Sequence, residues 1–425
     1  MRFLKNTLLK ASLILVVSSW VSKIIGISVA VLLANKFTVE NYGLAVGYLI
    51  LINFTDVFTF GFSSAVINYR GKERVKDKLD LAWTFDNFLP KIFLSILIIL
   101  LGDKFLYLVT GVKSHAILYF SLIPLLKALE TNAITILTRE LNFGTRSILE
   151  LVRSISYFLS SIIFINLSYG PILVVYSMLI SQLIRTFWSY FIINKTPRIY
   201  FNKVLFLSML KFSKWISLAN IIKLLKNQID KIILGYITGV RELAIYNNGA
   251  KIPIQIGQDF SKNFANLLFP IYSQKDKTFS NNVTKINNLS LVFSIMVILL
   301  TYFFGKNLIV LIFGKEYISS VLYLNILIPV IGLKMIYSNV ESLLKSKGYS
   351  KVDFYCGSFF LFGILLLLIF DNVDVIHFAY VILALEYILV LSVLMFHKYR
   401  FKTKILSNWL FLFFNLTSIF ILVYS

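Results

Sequence analysis

Residues 11–34 read ASLILVVSSWVSKIIGISVAVLLA. A helix that crosses a bilayer needs roughly 20 mostly apolar residues, and this segment exceeds that length. It is too long for the apolar part of a cleavable signal peptide, and no Ala-x-Ala-like cleavage site follows it. We therefore expect residues 11–34 to form the first membrane-spanning helix.

The same apolar pattern continues through the whole chain of 425 residues. Mean hydropathy is +0.80 and 58% of the residues are hydrophobic, which is more apolar surface than a soluble protein of this length could bury. The sequence therefore predicts an all-α integral membrane protein with about 12–13 transmembrane helices and no soluble domain. The candidate helices lie near 11–34, 42–65, 83–109, 115–138, 147–166, 171–194, 211–237, 243–271, 289–312, 317–344, 354–370, 375–396 and 405–425.

Positive charge dominates the chain, with 42 Lys and Arg against 20 Asp and Glu and a net charge of +22. The basic residues concentrate in alternate loops, such as those with Lys76 and Arg139, whereas the loops with Lys36 and Lys104 hold few. This asymmetry favours membrane topology over nucleic-acid binding and predicts a cytoplasmic N-terminus. The single cysteine, Cys356, excludes a disulfide within the chain and a metal site built on thiolates.

A weak internal repeat has an offset of 201 residues, from Lys10 to Lys211. At this offset the turn 40–45, ENYGLA, aligns with 241–246, RELAIY. Six helices separate the copies, and an even number is typical of parallel transporter repeats with a site at the repeat interface. We expect a six-helix N-terminal lobe at 1–200, a six-helix C-terminal lobe at 201–400, and an additional transmembrane helix at 401–425.

Short motifs distributed over residues 1–400 carry a family resemblance. RELNF at 139–143 is followed by DKIILG at 230–235, LAIYNNGA at 243–250, LFPIYS at 268–273 and IFGKEY at 312–317. In their order and spacing, these motifs resemble those of the bacterial lipid-linked polysaccharide flippases, which transport O-antigen and exopolysaccharide precursors. That family shares a superfamily with the multidrug and toxin extrusion proteins.

The resemblance implies two pseudo-symmetric six-helix lobes around a central cavity in the cytoplasmic (inner) membrane. The cavity would open alternately to each side of the membrane. Its implied cargo is an undecaprenyl-diphosphate-linked oligosaccharide, moved to the periplasmic leaflet for O-antigen, capsule or exopolysaccharide biosynthesis. Membrane lipids and other polysaccharide assembly proteins are the implied partners. No cofactor, no catalytic residue and no nucleic-acid partner are expected.

Ionisable residues inside the spans are candidates for the binding site. A charge at the bilayer centre costs roughly 2.5–3.5 kcal/mol, and it usually faces a wet cavity or a partner. Ammonium groups in such a cavity could hold a diphosphate through charge-assisted hydrogen bonds. Lys23 lies one residue from the repeat equivalent of Lys223, so we expect the two lysines to approach one central space from opposite lobes. The predicted substrate-binding residues are Lys23, Asn220, Lys223, Lys226, Asn227 and Lys251, with Asp56 and Asp230 in coupling or charge-pair roles and no metal ligands.

Several of these charges have a simpler interpretation as pairs. Lys226 and Asp230 are four residues apart and would neutralise each other on one helix face. Asp56 is either a counter-ion to Lys23 or part of a proton or sodium site. The remaining in-span charges are a local pair of Lys127 with Glu130, interior packing partners at Glu341 and Glu386, and a lesser cavity candidate at Arg185.

Three other functions remain open at the level of sequence. A multidrug exporter of the same superfamily is disfavoured by lysines at mid-membrane, because organic cations need acidic or neutral cavities. A membrane glycosyltransferase or polysaccharide polymerase would need an extended loop with catalytic groups, and His115, His377 and His397 are scattered without nucleophile or metal spacing. A scaffold subunit without transport of its own would not require charges inside its spans.

Overall fold

Helices make up almost all of the chain that the computed structural model describes. The described residues are 2–56, 58–69, 71, 73–113, 116–194, 196–273, 279–346, 349–366 and 375–401. None of them lies in a β-strand, as expected for the predicted all-α class. The predicted span at 405–425 lies outside the described residues.

Two compact units divide the chain, Met1–Ile221 and Ile222–Ser425, which we call the N-terminal and the C-terminal lobe. The N-terminal lobe contains α1 (Arg2–Lys36), α2 (Val39–Phe54), α3 (Phe62–Asn68), α4 (Val75–Ala82), a π-helix (Trp83–Phe88), α5 (Leu89–Thr110), α6 (Ile117–Leu129), α7 (Ala133–Arg139), α8 (Phe143–Asn166), α9 (Leu173–Ile193) and most of α10 (Lys203–Lys226). The C-terminal lobe contains α11 (Ile229–Thr238), α12 (Val240–Ser273), α13 (Phe279–Phe313), a 3₁₀ turn (Lys315–Tyr317), α14 (Ser320–Leu327), α15 (Val330–Ser346), α16 (Ser350–Leu366) and α17 (Val375–Phe401).

Seven helical segments among the described residues are long and apolar enough to cross a membrane, and the bent pair α6–α7 adds an eighth. The other predicted spans up to residue 396 are helical as well, but shorter or more polar. Helices α2 and α16 have 16 and 17 residues. Helices α9 and α12 bury polar side chains, among them Gln182 in α9 and Asn248 in α12. The chain is therefore a multi-pass α-helical membrane protein, although apolar length alone identifies only some of its helices.

Four of the segments predicted as single helices are divided in the structure. Breaks separate α2 from α3, α6 from α7, α10 from α11, and α14 from α15. The last break precedes Val330 and contains Pro329, whose missing N–H removes a helical hydrogen bond. The break between α6 and α7 contains neither proline nor glycine, and the two helices meet at an angle of 40°.

The boundary between the lobes falls inside α10, later in the chain than the boundary at residue 200 expected from the repeat. The first turns of α10 belong to the N-terminal lobe because their serines bind the segment before α3. Ser213 Oγ donates to the Phe60 carbonyl at 2.8 Å, and Ser217 Oγ donates to the Thr59 carbonyl at 2.7 Å. Gly61 follows at φ +71°, a left-handed conformation that favours glycine.

Close packing of α12 against α14 depends on Gly249. A methyl group at this position would collide with the Ser320 carbonyl oxygen and lie 2.8 Å from Tyr323 Cβ. Ser320 Oγ also donates to the Ile245 carbonyl of α12 at 2.8 Å, so the two helices approach closely. Small residues at such contacts are typical of helix packing in membranes.

We expect Gly249→Ala to destabilise the protein by about 1–3 kcal/mol, because the backbone of α14 must move to accept the methyl group. Unfolding of the purified protein in mixed micelles would measure the change. Gly144→Ala is the matched control, since a Cβ there meets no atom within 4 Å. Equal stability of the two variants would contradict this account of the packing.

Candidate functional site

A group of charges lies inside the N-terminal lobe where α2 ends. Lys127 Nζ on α6 lies 2.8 Å from Asp56 Oδ1 and donates to Thr55 Oγ1 at 2.8 Å. Lys91 Nζ on α5 lies 4.0 Å from the same carboxylate and donates to the Thr55 carbonyl. Both lysines are buried, whereas the Asp56 side chain is 54% exposed. Asp56 is thus the shared counter-ion of two lysines from two other helices, and the group keeps one net positive charge.

A second group of charges surrounds Glu130 at the break between α6 and α7. Arg185 Nε on α9 donates to Glu130 Oε1 at 3.0 Å, and Gln182 Nε2 donates to Oε2 at 2.9 Å. The indole of Trp83 in the π-helix donates to the Glu130 carbonyl at 2.8 Å. The freed backbone at the break and the buried carboxylate are therefore both satisfied by neighbouring helices. Arg185 also reaches Glu150 on α8 at 3.5 Å.

Both groups line one cavity of about 250 Å³, which we call the small cavity. Its lining residues are Asp56, Thr59, Ser63, Asn87, Lys91, Lys127, Glu130, Thr131, Asn132, Ile134, Thr135, Arg153, Gln182 and Arg185. Four of them are cationic and two are carboxylates, so the lining is basic overall. Buried Asn132 Oδ1 and Gln182 Oε1 have no hydrogen-bond partner among the described residues. The small cavity thus offers excess positive charge together with two unused acceptors.

A larger cavity of about 860 Å³ adjoins the small cavity. It is lined by residues of α4 and α7 and by the segment after α9, and its charged residues include Lys76, Arg139 and Arg198. Thr131 and Asn132 line both cavities. The break between α6 and α7 therefore forms a wall that the two cavities share, which we call the neck. We call this second space the large cavity.

The C-terminal lobe contains a separate group of charges around Glu386 on α17. Lys226 Nζ at the end of α10 and Lys334 Nζ on α15 each lie 3.2 Å from a Glu386 oxygen. All three side chains are at most 13% exposed. Lys226 also lies 4.3 Å from the ring centre of Phe360, which is within cation–π distance. One carboxylate is thus the shared counter-ion of two buried lysines.

The predicted pair of Lys226 with Asp230 is wrong. Helix α10 ends at Lys226 and α11 begins at Ile229, so no continuous helix places the two residues on one face. Asp230 instead accepts a hydrogen bond from Tyr246 Oη at 2.9 Å, and Asn227 accepts one from Gln258 Nε2 at 3.0 Å.

The predicted local pair of Lys127 with Glu130 is also wrong. Helix α6 ends at Leu129 and Glu130 has extended backbone, so the two side chains diverge to Asp56 and Arg185. Asp56 pairs with Lys127 and Lys91, whereas the sequence suggested Lys23 as its lysine. Arg185, a minor candidate in the sequence, lies in the centre of the site.

The other predicted substrate-binding residues are distributed over both lobes. Lys23 is half-buried on α1 with its ammonium 5.8 Å from the Trp20 ring centre, and Asn220 is exposed on α10. Lys223 is 52% exposed and lies 3.8 Å from Glu341. Lys251 is half-buried on α12 and forms no ion pair with another described residue. Convergence of Lys23 and Lys223 on one space stays a prediction.

Sequence reasoning missed Lys91, Arg153, Gln182 and Lys334. Lys91 and Lys334 lie within apolar segments, so the cost of a buried charge could have identified them. Across the described residues, no group of three or more His, Cys, Asp or Glu side chains could hold a metal ion.

Solved structures of membrane transporters share the fold of this chain. A lipid II flippase, MurJ in an inward closed conformation, matches 97% of this chain and 92% of its own length at 17% identity, with a TM-score of 0.74. A multidrug resistance MATE family transporter of the MOP superfamily, in an inward-facing conformation, is also similar. The match covers 89% of this chain and 94% of the transporter at 12% identity, with a TM-score of 0.69. The match to a MOP superfamily transporter from Pyrococcus furiosus covers 93% of this chain and 95% of that transporter at 12% identity, with a TM-score of 0.61. The resemblance to this superfamily is confirmed for the fold.

Sequence comparison supplies the family. Comparison with curated proteins gives no significant match. The sequence profile of the family described as "Polysaccharide biosynthesis protein" matches residues 32–322, which is more than half of the chain. With the transporter fold and the buried charges of both lobes already established, this match shows that the chain belongs to the polysaccharide biosynthesis protein family.

Proposed function

We propose that the chain moves undecaprenyl-diphosphate-linked oligosaccharide from the cytoplasmic to the periplasmic leaflet of the bacterial inner membrane by alternating access. Family membership and the transporter fold support the movement of a polysaccharide precursor. The observation that carries the proposal is the basic lining of the small cavity, in which Lys91, Lys127, Arg153 and Arg185 outnumber the two carboxylates. A diphosphate cannot cross hydrocarbon unaided, and cations of this kind bind it through charge-assisted hydrogen bonds.

The same lining disfavours the export of organic cations, the runner-up function. A cationic drug entering the small cavity would meet four cations and two carboxylates, and both carboxylates already bind lysine or arginine. The structural likeness to a multidrug transporter is a likeness of fold, at 12% identity.

The predicted lysines have different roles in this proposal. Lys223 is half exposed and lies 3.8 Å from Glu341, so its ammonium remains accessible to the substrate. Lys226 is buried against Glu386 and serves the fold of the C-terminal lobe. We retain Lys23, Asn220, Asn227 and Lys251 as proposed substrate contacts.

Deletion of the gene should cause complete lipid-linked repeat units to accumulate in the inner leaflet, because synthesis continues while translocation stops. Wild-type protein should restore surface glycan, whereas Lys23→Ala or Lys223→Ala should display about tenfold less, the loss of one charge-assisted hydrogen bond. Arginine at either position should retain more display than glutamine, because charge matters more than hydrogen bonding. Surface glycan normalised to membrane protein level is the measurement.

Lys104→Ala is the matched control, since Lys104 is exposed on α5 and lies in the loop set predicted to be periplasmic. Normal display from both Lys23→Ala and Lys223→Ala would remove these two residues from the mechanism. A deletion strain that accumulates no lipid-linked repeat units but becomes sensitive to cationic dyes would overturn the flippase in favour of a drug exporter.

A further inference from the structure

Arg153 is the fourth cation of the small cavity, beside Lys91, Lys127 and Arg185. It lies on α8 and lines the cavity, yet among the described residues it makes no hydrogen bond or ion pair. Its charge acts on Asp56 and Lys127, so it lies within electrostatic range of the first charged group. A guanidinium in this position offers a planar set of donors that matches phosphate oxygens.

Volume limits what the small cavity can hold. Ligand pockets for small molecules have volumes of roughly 300–1,000 Å³, and the small cavity is below that range at about 250 Å³. A diphosphate with a few waters fits such a space, whereas an oligosaccharide does not. The large cavity, at about 860 Å³, has the volume that one or more sugar rings require.

The neck between the cavities has chemistry suited to the junction of phosphate and sugar. Asn132 Oδ1 and Gln182 Oε1 are buried acceptors without a donor, and Asn132 lines both cavities. Buried acceptors are normally satisfied, so each one without a partner requires an explanation. A sugar hydroxyl or amide next to the diphosphate would supply the missing donors.

We propose that the small cavity binds the diphosphate of the lipid-linked sugar through Arg153, while the first sugar lies at the Asn132 neck and further sugars extend into the large cavity. This inference rests on the proposed function and assigns its headgroup site to one lobe. Arg153 receives the phosphate, and Lys91, Lys127 and Arg185 supply a positive environment. Sugar specificity would then arise at the neck, and the diphosphate would be recognised whatever oligosaccharide it carries.

Binding to the full-length protein in nanodiscs tests the site, with farnesyl diphosphate, inorganic diphosphate and farnesol as probes. Wild-type protein should bind farnesyl diphosphate more tightly than inorganic diphosphate and should not bind farnesol at comparable concentration. Arg153→Gln should weaken farnesyl diphosphate binding about tenfold or more, because one charge-assisted contact is lost. Arg153→Lys should retain most of the affinity, and Lys104→Gln, an equal loss of charge on an exposed helix position, should leave it unchanged.

Each alternative result overturns part of the assignment. Unchanged affinity of Arg153→Gln for farnesyl diphosphate would show that Arg153 does not bind the phosphate. Binding of inorganic diphosphate but not of farnesyl diphosphate would make the small cavity a site for a free anion. If Arg153→Gln fails to fold, Arg153→Lys still tests the site, since loss of binding in that folded, charge-conserving variant would contradict the proposal. If the deletion strain accumulates repeat units while Arg153→Gln binds farnesyl diphosphate normally, this inference is rejected and the flippase function is still supported. If farnesyl diphosphate binding depends on Arg153 but the deletion strain accumulates no repeat units, the flippase function is rejected and the anion-binding site is retained.

Discussion

Glu386→Ala is expected to lower the free energy of unfolding by about 3–5 kcal/mol, because it leaves buried charges without a partner. The carboxylate is the common partner of Lys226 and Lys334 at 3.2 Å each, and the three side chains are nearly excluded from solvent. Removing it leaves two ammonium groups facing each other inside the C-terminal lobe. Unfolding of the purified protein in mixed micelles measures the loss. Glu316→Ala, an exposed carboxylate of the same lobe, is the matched control.

A triple variant without the three charges shows whether Glu386→Ala loses stability through unpaired charge or through lost packing. Lys226→Met, Lys334→Met and Glu386→Leu together remove all three charges, so the stability lost in Glu386→Ala should return in large part. The loss caused by Lys226→Ala should not be recovered by Asp230→Ala, since Asp230 binds Tyr246. Recovery by Asp230→Ala would show that the pairing with Glu386 is not the one that matters in the membrane.

Asp56→Asn should have the largest effect on the transport cycle. The carboxylate binds Lys127 at 2.8 Å and lies 4.0 Å from Lys91, so it competes with an anionic substrate for both lysines. Asparagine keeps the shape and removes the negative charge. We expect affinity for farnesyl diphosphate to rise about tenfold, equivalent to about 1.4 kcal/mol, and surface glycan display to fall because release becomes slow. Nanodisc binding and glycan display measure the two effects.

Two further variants test that reasoning. Asp103→Asn, an exposed acid on α5, makes the same charge change and should alter neither measurement. Lys127→Met should have the opposite sign to Asp56→Asn and weaken diphosphate binding. If Asp56→Asn weakens binding instead, Asp56 positions the lysines for the substrate and does not compete with it.

Hydropathy and the cost of buried charge predicted much of this architecture. The apolar runs located the helices, and the charges within them identified Asp56, Lys226 and Asp230 as residues with a special environment. The predicted ion pairs of Lys226 with Asp230 and of Lys127 with Glu130 were wrong because they were derived from residue spacing along one helix. Lys127 and Asp56 are 71 residues apart in sequence, and Lys226 and Glu386 are 160 apart, so tertiary packing determines their contacts.

The breaks between helices are the second feature that the sequence predicts only in part. Pro329 marks one break by its chemistry, because it lacks the N–H that a continuous helix needs. The break at 130–132 has the sequence Glu-Thr-Asn, which carries no such signal. It exists because Trp83, Arg185 and Ser189 of other elements bind the Glu130 carbonyl, the Glu130 carboxylate and the Thr131 N–H, respectively. A local pattern cannot show donors that arrive from elsewhere in the chain.

Helix α9 would enter a bilayer poorly as an isolated segment, since it carries Gln182 and Arg185 in the middle of its length. On insertion scales an arginine at a helix centre costs roughly 2.5–3.5 kcal/mol, which the neighbouring apolar residues barely offset. Glu130 and Glu150 remove that cost only after α6 and α8 are in place. We therefore expect insertion of the N-terminal half to be cooperative, with α9 becoming stable in the bilayer only when its ion pairs to Glu130 and Glu150 have formed.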